Sequence, residues 1–137
     1  MKKQDSKIAI QRSNENWMAT ELLICSRNTN VKLWNAASNR LYYAVLQLVF
    51  AEMIEHTDFR LGANTDSHRQ ARDYVKNHCF EISRNFRRLE DLRNQADYEP
   101  TPVSQIDFYN EWRIWKSDGL YNECVKNLNS ELGRMII

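Results

Sequence analysis

The chain has 137 residues and a formal net charge of +1 at pH 7, so it is long enough for one ordinary domain and too short for two. Its three glycines and two prolines are too few to supply the turns of a sheet, which predicts an all-α protein. The near-neutral charge excludes binding of nucleic acid by bulk attraction, so any contact with phosphate must be local.

The cysteines and the start of the chain indicate the cellular compartment. Cys25, Cys79 and Cys124 are odd in number, far apart and without a Cys-x-x-Cys spacing, which argues against a disulfide framework or a zinc site. The polar residues 1–7 do not resemble a secretory signal, and no apolar run reaches the roughly 20 residues that span a bilayer. We therefore expect a cytoplasmic protein that makes no contact with a membrane.

Apolar residues at helical spacing begin close to the N-terminus. They predict a first helix over residues 5–27, which a turn at 28–30 separates from a second helix over 31–55. The second helix is apolar on nearly all sides. We expect it to be the central helix, with part of its surface available to a second copy of the chain.

The chain continues with a short helix and another long one. After a loop, Asp66 or Ser67 caps a third helix over residues 68–78. A fourth helix covers residues 83–98 and is closed by the prolines at 100 and 102, because proline cannot continue a helix.

A fifth helix is predicted from residue 103 or 104 to residue 132. Ser117-Asp118-Gly119 interrupts it, and we expect a kink or an irregular turn there, because glycine inside a helix costs up to about 1 kcal/mol relative to alanine. Four long helices and one short helix, joined by short loops, describe an up-and-down bundle in a single domain over residues 1–137.

Two distant segments of these helices each place an arginine and a tyrosine within about one helical turn. They are residues 39–44, NRLYYA, and residues 92–98, LRNQADY. An arginine beside an apolar stripe loses hydration unless it meets a carboxylate, a phosphate or a ring face. The two segments therefore predict one shared polar site.

Residues 36–45, AASNRLYYAV, followed by residues 67–70, SHRQ, and then by residues 92–98, resemble the HEPN domain superfamily. The chain is most similar to its short stand-alone bacterial and archaeal members, which carry an Arg-x-Tyr-Tyr-Ala helix, a Ser-His loop and an Arg-x-x-x-Asp-Tyr ending. The resemblance extends from about residue 5 to residue 132. It implies an HEPN-like helical bundle that pairs as a homodimer, with the polar sites of both protomers meeting near the dimer axis.

The resemblance also implies a role around RNA. Many HEPN proteins are metal-independent ribonucleases, often toxins paired with a small nucleotidyltransferase antitoxin or parts of phage-defence systems. Their usual catalytic signature is an arginine, a polar residue, and a histidine four to six residues after the arginine. Arg93 and Asn94 match its start. With four residues between, the position of the histidine falls on Tyr98, and the longer spacings fall on Glu99 and Pro100. A tyrosine with an ordinary pKa of about 10 is not poised to move protons near pH 7.

The resemblance assigns catalytic roles to several residues. Arg93 would stabilise the scissile phosphate, which Asn94 would orient, while Asp97 would orient either Arg93 or Arg40. Tyr98 or His68 would move protons. Structural alternatives stay open, because Arg93 and Asp97 are four residues apart and can form an ordinary intrahelical ion pair, and His68 follows a serine that can cap a helix. Neither a Glu-x-x-His spacing nor a glycine-rich phosphate loop occurs, so no metal and no cofactor is expected.

Further residues are candidate contacts to RNA. Arg40 would be a second clamp on the phosphate, although a buried contact with an aspartate between the second and fourth helices would explain it equally well. Tyr43 stands close by, although a tyrosine at such a position is more often a core residue than a site residue. Arg87 and Arg88 belong to a basic run over residues 69–93, which either follows an RNA backbone or simply faces solvent.

The sequence leads to two main hypotheses. In the first, an HEPN-like homodimer binds or cleaves RNA in a toxin–antitoxin or phage-defence system, with a small nucleotidyltransferase or another defence protein as partner. In the second, the chain is a non-catalytic dimeric interaction module whose partner does the chemistry, for which the missing histidine is the main support. By the same analogy, Tyr98 or a neighbouring tyrosine would be a site of regulatory nucleotidylation.

Overall fold

The computed structural model describes residues 2–25, 31–62 and 66–131. The regular elements in these stretches are all helical, which confirms the predicted all-α bundle. They are α1 (Lys2–Cys25), α2 (Val31–His56), α3 (Ser67–His78), α4 (Phe80–Tyr98), α5 (Gln105–Trp112), a π-helical turn (Arg113–Ser117) and α6 (Leu120–Glu131). Within these stretches, no helix has both the length and the apolar character needed to cross a membrane.

The most apolar helix, α2, lies at the centre of the bundle. It packs against α1, α3, α4, α5 and α6. Side chains around its circumference are buried, including Leu41, Ala44, Leu46 and Ile54, each 0% exposed. The apolar residues on nearly all sides of α2 thus pack against neighbouring helices, which agrees with the predicted central position of this helix.

The first two helices run in opposite directions. Near the start of α1, Ser6 Oγ donates to Glu55 Oε2 near the end of α2 at 2.9 Å. Farther along α1, Ser13 Oγ donates to the Ala44 carbonyl at 2.6 Å. The Ser13 hydroxyl also lies 2.9 Å from Tyr121 Oη of α6, so this polar group is satisfied inside the core.

The starts of α1 and α3 differ in detail from the prediction. α1 begins at Lys2, ahead of residue 5, and its predicted end together with the turn at 28–30 lies outside the described residues. α3 begins at Ser67 after the predicted cap Asp66. The Asp66 carboxylate contacts Arg69 at 3.1 Å and makes no capping bond to a backbone N–H.

α4 begins at Phe80, three residues before the predicted start. Cys79 alone separates it from α3. The Cys79 N–H donates to the Val75 carbonyl at 2.9 Å, and the Ile82 N–H donates to the Cys79 carbonyl at 3.1 Å. Because hydrogen bonding passes from one helix to the next through Cys79, the predicted start at residue 83 is wrong.

The predicted fifth helix is interrupted where its glycine stands. Ser104 caps α5, and its Oγ accepts from the Asp107 N–H at 3.1 Å. The π-helical turn Arg113–Ser117 follows. Gly119, at φ +81°, then separates this turn from α6 with a left-handed backbone angle that glycine adopts at no steric cost. The predicted irregularity is confirmed, and the predicted end at residue 132 lies outside the described residues.

The arm formed by residues 105–131 runs parallel to α2. Just before it, the Val103 N–H donates to Asn35 Oδ1 near the start of α2 at 2.8 Å. Near its end, Leu128 lines the same cavity as Leu48 of α2. α4 is antiparallel to α2, because Asn39 pairs with Asp97 and Tyr43 pairs with Arg93. Successive long elements therefore alternate in direction, as in an up-and-down bundle, in the order α1, α2, α4 and the arm.

Candidate functional site

The guanidinium of Arg93 lies where α4 meets α2, against tyrosine rings from both helices. Its Cζ is 5.7 Å from the ring centroid of Tyr42, 5.8 Å from that of Tyr43 and 5.4 Å from that of Tyr98. Rings within about 6 Å attract a cation through their quadrupole. The side chain of Arg93 is 17% exposed, so these rings replace part of the water that its charge has lost.

The same guanidinium makes hydrogen bonds that are longer than usual for a charged donor. Nη2 donates to Tyr43 Oη at 3.3 Å and to Tyr98 Oη at 3.5 Å, and Nη1 donates to Asn94 Oδ1 at 3.3 Å. Charge-assisted hydrogen bonds are ordinarily about 2.7–2.9 Å long. A phosphate oxygen at that shorter distance would bind the guanidinium more strongly than these neutral oxygens do.

Asp97 supplies the negative charge beside Arg93. Its Oδ2 is 3.0 Å from Arg93 Nε, one helical turn away, but the N–H does not point at the oxygen, so the contact is an ion pair without a hydrogen bond. Asn39 of α2 donates from Nδ2 to both Asp97 oxygens at 3.1 Å. Burial lowers the pKa of Arg93, but Tyr43, Tyr98 and Asp97 together raise it above its ordinary value, so the arginine stays charged.

These contacts join the first half of α2 to the last turns of α4. Asn39 pairs with Asp97, and Tyr43 pairs with Arg93. One turn forward along α2 therefore corresponds to one turn back along α4, which makes the two helices antiparallel. The structure therefore brings together Asn39 and Tyr43 of segment 39–44 and Arg93 and Asp97 of segment 92–98.

His68, in the first turn of α3, contacts the same tyrosines. Its Nδ1 is 2.9 Å from Tyr42 Oη, and its ring centroid is 5.8 Å from those of Tyr42 and Tyr43. Burial lowers the pKa of His68, and the positive charge of Arg93 adds to the effect. The imidazole is therefore neutral near pH 7.

The hydrogen bond between His68 and Tyr42 decides which ring nitrogen is available for chemistry. Burial, and then the nearby Glu90 carboxylate, raise the pKa of Tyr42 well above its ordinary value, so its hydroxyl stays protonated. In the tautomer whose Nδ1–H donates to Tyr42 Oη, Nε2 of His68 has a free lone pair that can accept a proton. In the other tautomer Tyr42 donates to Nδ1, and Nε2–H becomes a donor toward an anionic ligand.

An ion pair between Arg72 of α3 and Glu90 of α4 lies near His68. The sequence motifs did not identify it, because neither residue belongs to a motif segment. Arg72 Nε is 3.1 Å from both Glu90 carboxylate oxygens, and Arg72 Nη2 is 2.8 Å from Oε2. Glu90 is 7% exposed, so Arg72 balances a charge that has little access to water. Helical spacing is the signal that finds Glu90, because it lies four residues after Phe86 and three before Arg93 on the face of α4 that meets α2.

Arg40, the predicted second clamp, faces α1. It is exposed, and its Nη1 is 3.4 Å from Asn16 Oδ1. The contact between α2 and α4 that was the structural alternative for Arg40 is made instead by its neighbour Asn39 with Asp97. Within one chain the polar cluster therefore contains Arg93 and tyrosines of both segments, while Arg40 lies on the α1 side of α2. The role of Arg40 as a second clamp on the phosphate stays a prediction.

Arg87 and Arg88 also lie apart from the cluster. Both are exposed on α4, and Arg88 lines a shallow depression together with Gln95 of α4 and Glu111 of α5. Burial raises the pKa of Glu111, and the charge of Arg88 opposes this rise. Any contact that these arginines make with RNA would run along the outside of α4, away from Arg93.

The cluster combines a cation, a neutral imidazole and tyrosine hydroxyls, and it opens to solvent at Tyr98, which is 72% exposed. Among the residues that the structure describes, no group of three or more His, Cys, Asp or Glu side chains is placed to hold a metal ion. Arg93 can bind an anion, and His68 can accept or donate a proton at neutral pH. The arrangement suits the binding of a phosphate ester.

The fold and the cluster define a helical-bundle protein with a tyrosine-lined arginine site. No protein-family model matches the chain, and no curated protein or solved structure matches it either. A functional proposal therefore depends on the chemistry of the cluster and on the resemblance of the sequence motifs.

Proposed function

We propose that the protein is an HEPN-like RNA-binding protein that holds an RNA phosphate at the Arg93 cluster. The observation that carries the proposal is the position of Arg93 and His68, which contact the same tyrosines, Tyr42 and Tyr43. A charged guanidinium and a neutral imidazole are groups that serve phosphodiester binding and cleavage without a metal. In this proposal His68 supplies, from another helix, the imidazole that the HEPN signature has after its arginine.

In the catalytic form of the proposal, His68 acts as the base. Nε2 takes the proton of the ribose 2′-hydroxyl, the 2′-oxygen attacks phosphorus, and the bond between phosphorus and the 5′-oxygen breaks to leave a 2′,3′-cyclic phosphate. Arg93 stabilises the charge that develops on the phosphate oxygens. The leaving 5′-oxygen takes its proton from the Tyr98 hydroxyl, which lies 3.5 Å from the guanidinium that would hold the phosphate. A phenol that is a poor base near pH 7 can still be this acid, because the departing alkoxide is a far stronger base than a phenolate.

We also propose that the protein acts as a homodimer in a toxin–antitoxin or phage-defence system, with a small nucleotidyltransferase or another defence protein as partner. The support is the motif resemblance, together with exposed apolar side chains that a second copy can cover. Leu22 and Ile106 are each 73% exposed, and Met18 is 53% exposed. Light scattering measures the subunit number, and coexpression with the neighbouring gene product tests the partner. A monomer that copurifies with nothing contradicts both.

RNA binding is tested with a fluorescently labelled single-stranded RNA at low salt. Arg93→Gln should weaken binding about tenfold or more, because it removes a charged donor to phosphate. Arg113→Gln is the matched control, since Arg113 is an exposed arginine of the π-helical turn and should leave the affinity unchanged. Equal losses for the two variants would show general charge attraction rather than a site at Arg93.

Cleavage is tested separately, by incubating the protein with total RNA in the presence of a chelator. His68→Asn should keep RNA affinity within about twofold and lose cleavage, whereas Arg93→Gln should lose both. Circular dichroism confirms that both variants are folded. Identical RNA profiles for the wild type and the two variants would rule out the nuclease. RNA binding would then be judged by the binding measurement with labelled RNA alone.

A non-catalytic interaction module is the second candidate function. Nη1, Nη2 and Nε of Arg93 all contact groups of the same chain, which is also how a purely structural cation is held. In that case Arg93→Gln lowers the free energy of unfolding and RNA affinity is absent at low salt. The purified protein would instead retain a protein partner, which mass spectrometry of the copurified material identifies.

A further inference from the structure

A cavity of about 380 Å³ lies between α2, the start of α4 and α6, and it shares no lining residue with the Arg93 cluster. Leu48, Val49, Ile82 and Leu128 form its apolar wall, and each is at most 7% exposed. Ligand pockets in proteins measure about 300–1,000 Å³. This cavity is at the small end of that range, so it suits an aliphatic group of a few carbons.

The charged side chains that the structure describes at this cavity are acidic. Glu52 of α2 and Glu81 of α4 line it, and the described residues that do so include no Lys or Arg. Glu52 already has a partner, because it lies 3.4 Å from His56 Nε2, one turn later on α2. Glu81 is exposed in the first turn of α4, where water and a ligand can both reach it. The cavity therefore presents apolar walls with negative charge beside them.

The thiol of Cys124, in the cavity wall, responds to this negative charge. Burial raises the pKa of Cys124 to about 12, and the acidic groups around it, Cys79 first and then Glu123, Glu81 and Glu52, act in the same direction. Burial disfavours any ion in this wall, whereas the acidic neighbours disfavour an anion alone. A cation gains from the same carboxylates.

We propose that this cavity binds a small aliphatic ammonium ion. Its hydrocarbon chain lies against Leu48, Val49 and Ile82, and its ammonium group lies at the exposed Glu81 carboxylate. Apolar contact gives the affinity, and the Glu81 carboxylate selects an ammonium over a neutral or an anionic ligand of the same length. The site is independent of RNA binding at Arg93.

The test is titration of the full-length protein at pH 7 with n-hexylammonium, hexan-1-ol and hexanoate, followed by calorimetry and amide chemical shifts. Affinity should decrease in that order, and each methylene removed from hexylammonium should weaken binding about fourfold. Glu81→Gln should weaken hexylammonium about threefold to fivefold, the size of an exposed ion pair, and leave hexan-1-ol unchanged. Glu15→Gln, at an exposed position of α1, is the matched control and should change neither.

Cavity-filling variants locate the bound ligand. Val49→Trp should abolish binding, and the smaller change Leu128→Phe should weaken it and keeps the test available if Val49→Trp does not fold. Hexanoate that binds as tightly as hexylammonium, or binding that survives both variants, overturns the proposal. Tighter hexylammonium binding in Arg134→Gln also overturns it, because that result would assign the cavity to residues 132–137 of the chain itself.

Discussion

Replacing Arg72 with alanine should destabilise the protein more than the exposure of Arg72 suggests. The side chain of Arg72 is 51% exposed, whereas that of its partner Glu90 is 9% exposed, so alanine leaves a carboxylate inside the protein without its cation. Removing one partner of a buried pair costs about 3–5 kcal/mol, and an exposed pair contributes about 1 kcal/mol or less. Because Arg72 is half exposed, we expect a loss of about 2 kcal/mol in the free energy of unfolding.

Urea denaturation at pH 7 measures this loss for Arg72→Ala, for Glu90→Gln and for the double variant. Glutamine keeps the shape of Glu90 and removes its charge, so the double variant should regain about 1 kcal/mol of the loss. Arg69→Ala is the matched control, because the ion pair of Arg69 with Asp66 joins side chains that are 66% and 59% exposed. Its effect should stay within about 0.5 kcal/mol.

Arg72→Ala and Glu90→Gln should shift the pKa of His68 in opposite directions. Arg72 lowers the pKa of His68, and Glu90 raises it. Arg72→Ala should therefore raise the pKa of His68 and Glu90→Gln should lower it, which an NMR titration of the imidazole measures. The reasoning is refuted if Arg72→Ala costs no more stability than Arg69→Ala, or if the pKa of His68 moves the same way in both variants.

Further changes test the site and the backbone. Tyr42→Phe should cost about 1 kcal/mol in urea denaturation, because it removes the hydrogen bond to His68 and keeps the ring; unchanged stability would contradict that bond. The pKa of His68 is lowered in the folded protein, so its contribution is complete above the unfolded pKa of about 6.5 and is lost as the pH falls below it. His68→Gln should remove this part of the pH dependence, and an unchanged slope between pH 7 and 5 counts against it. Gly119→Ala and Gly62→Ala should each lower the free energy of unfolding by about 1–2 kcal/mol. The cost comes from the backbone, because φ is +81° and +76° while the added Cβ meets nothing within 4 Å. Thermal unfolding of the variants at the wild-type temperature would refute this.

The helices could be predicted because apolar spacing is a local signal. Apolar residues on nearly all sides of α2 were sufficient to predict that this helix lies at the centre of the bundle. The start of α4 could not be predicted in this way. The junction at Cys79 has no capping side chain, and its position depends on the hydrogen bonds that run through Cys79 from one helix to the next.

The composition of the candidate site depended on how the helices are rotated against each other. Asn39 and Arg40 are neighbours, but one residue along an α-helix turns a side chain by about 100°. As a result Asn39 meets Asp97 of α4, while Arg40 meets Asn16 of α1. Motif spacing identified two segments that meet in the structure, but only the packing of α2 between α1 and α4 decides which of the two neighbours faces α4.

The way Arg93 is held differs from the way a structural ion pair in the same bundle is held. Arg72 binds Glu90 through contacts of 2.8–3.1 Å, whereas the hydrogen bonds of Arg93 go to neutral oxygens at 3.3–3.5 Å. Its ion pair with Asp97 is shared with Asn39, which bonds both Asp97 oxygens. Stability alone does not call for such a cluster, because apolar residues of similar volume often stabilise a core equally well. Arg93 therefore has donor capacity that its own fold uses weakly, and an anionic ligand can take it up without breaking a strong bond. For that reason we expect an RNA phosphate at Arg93 and not at Arg72.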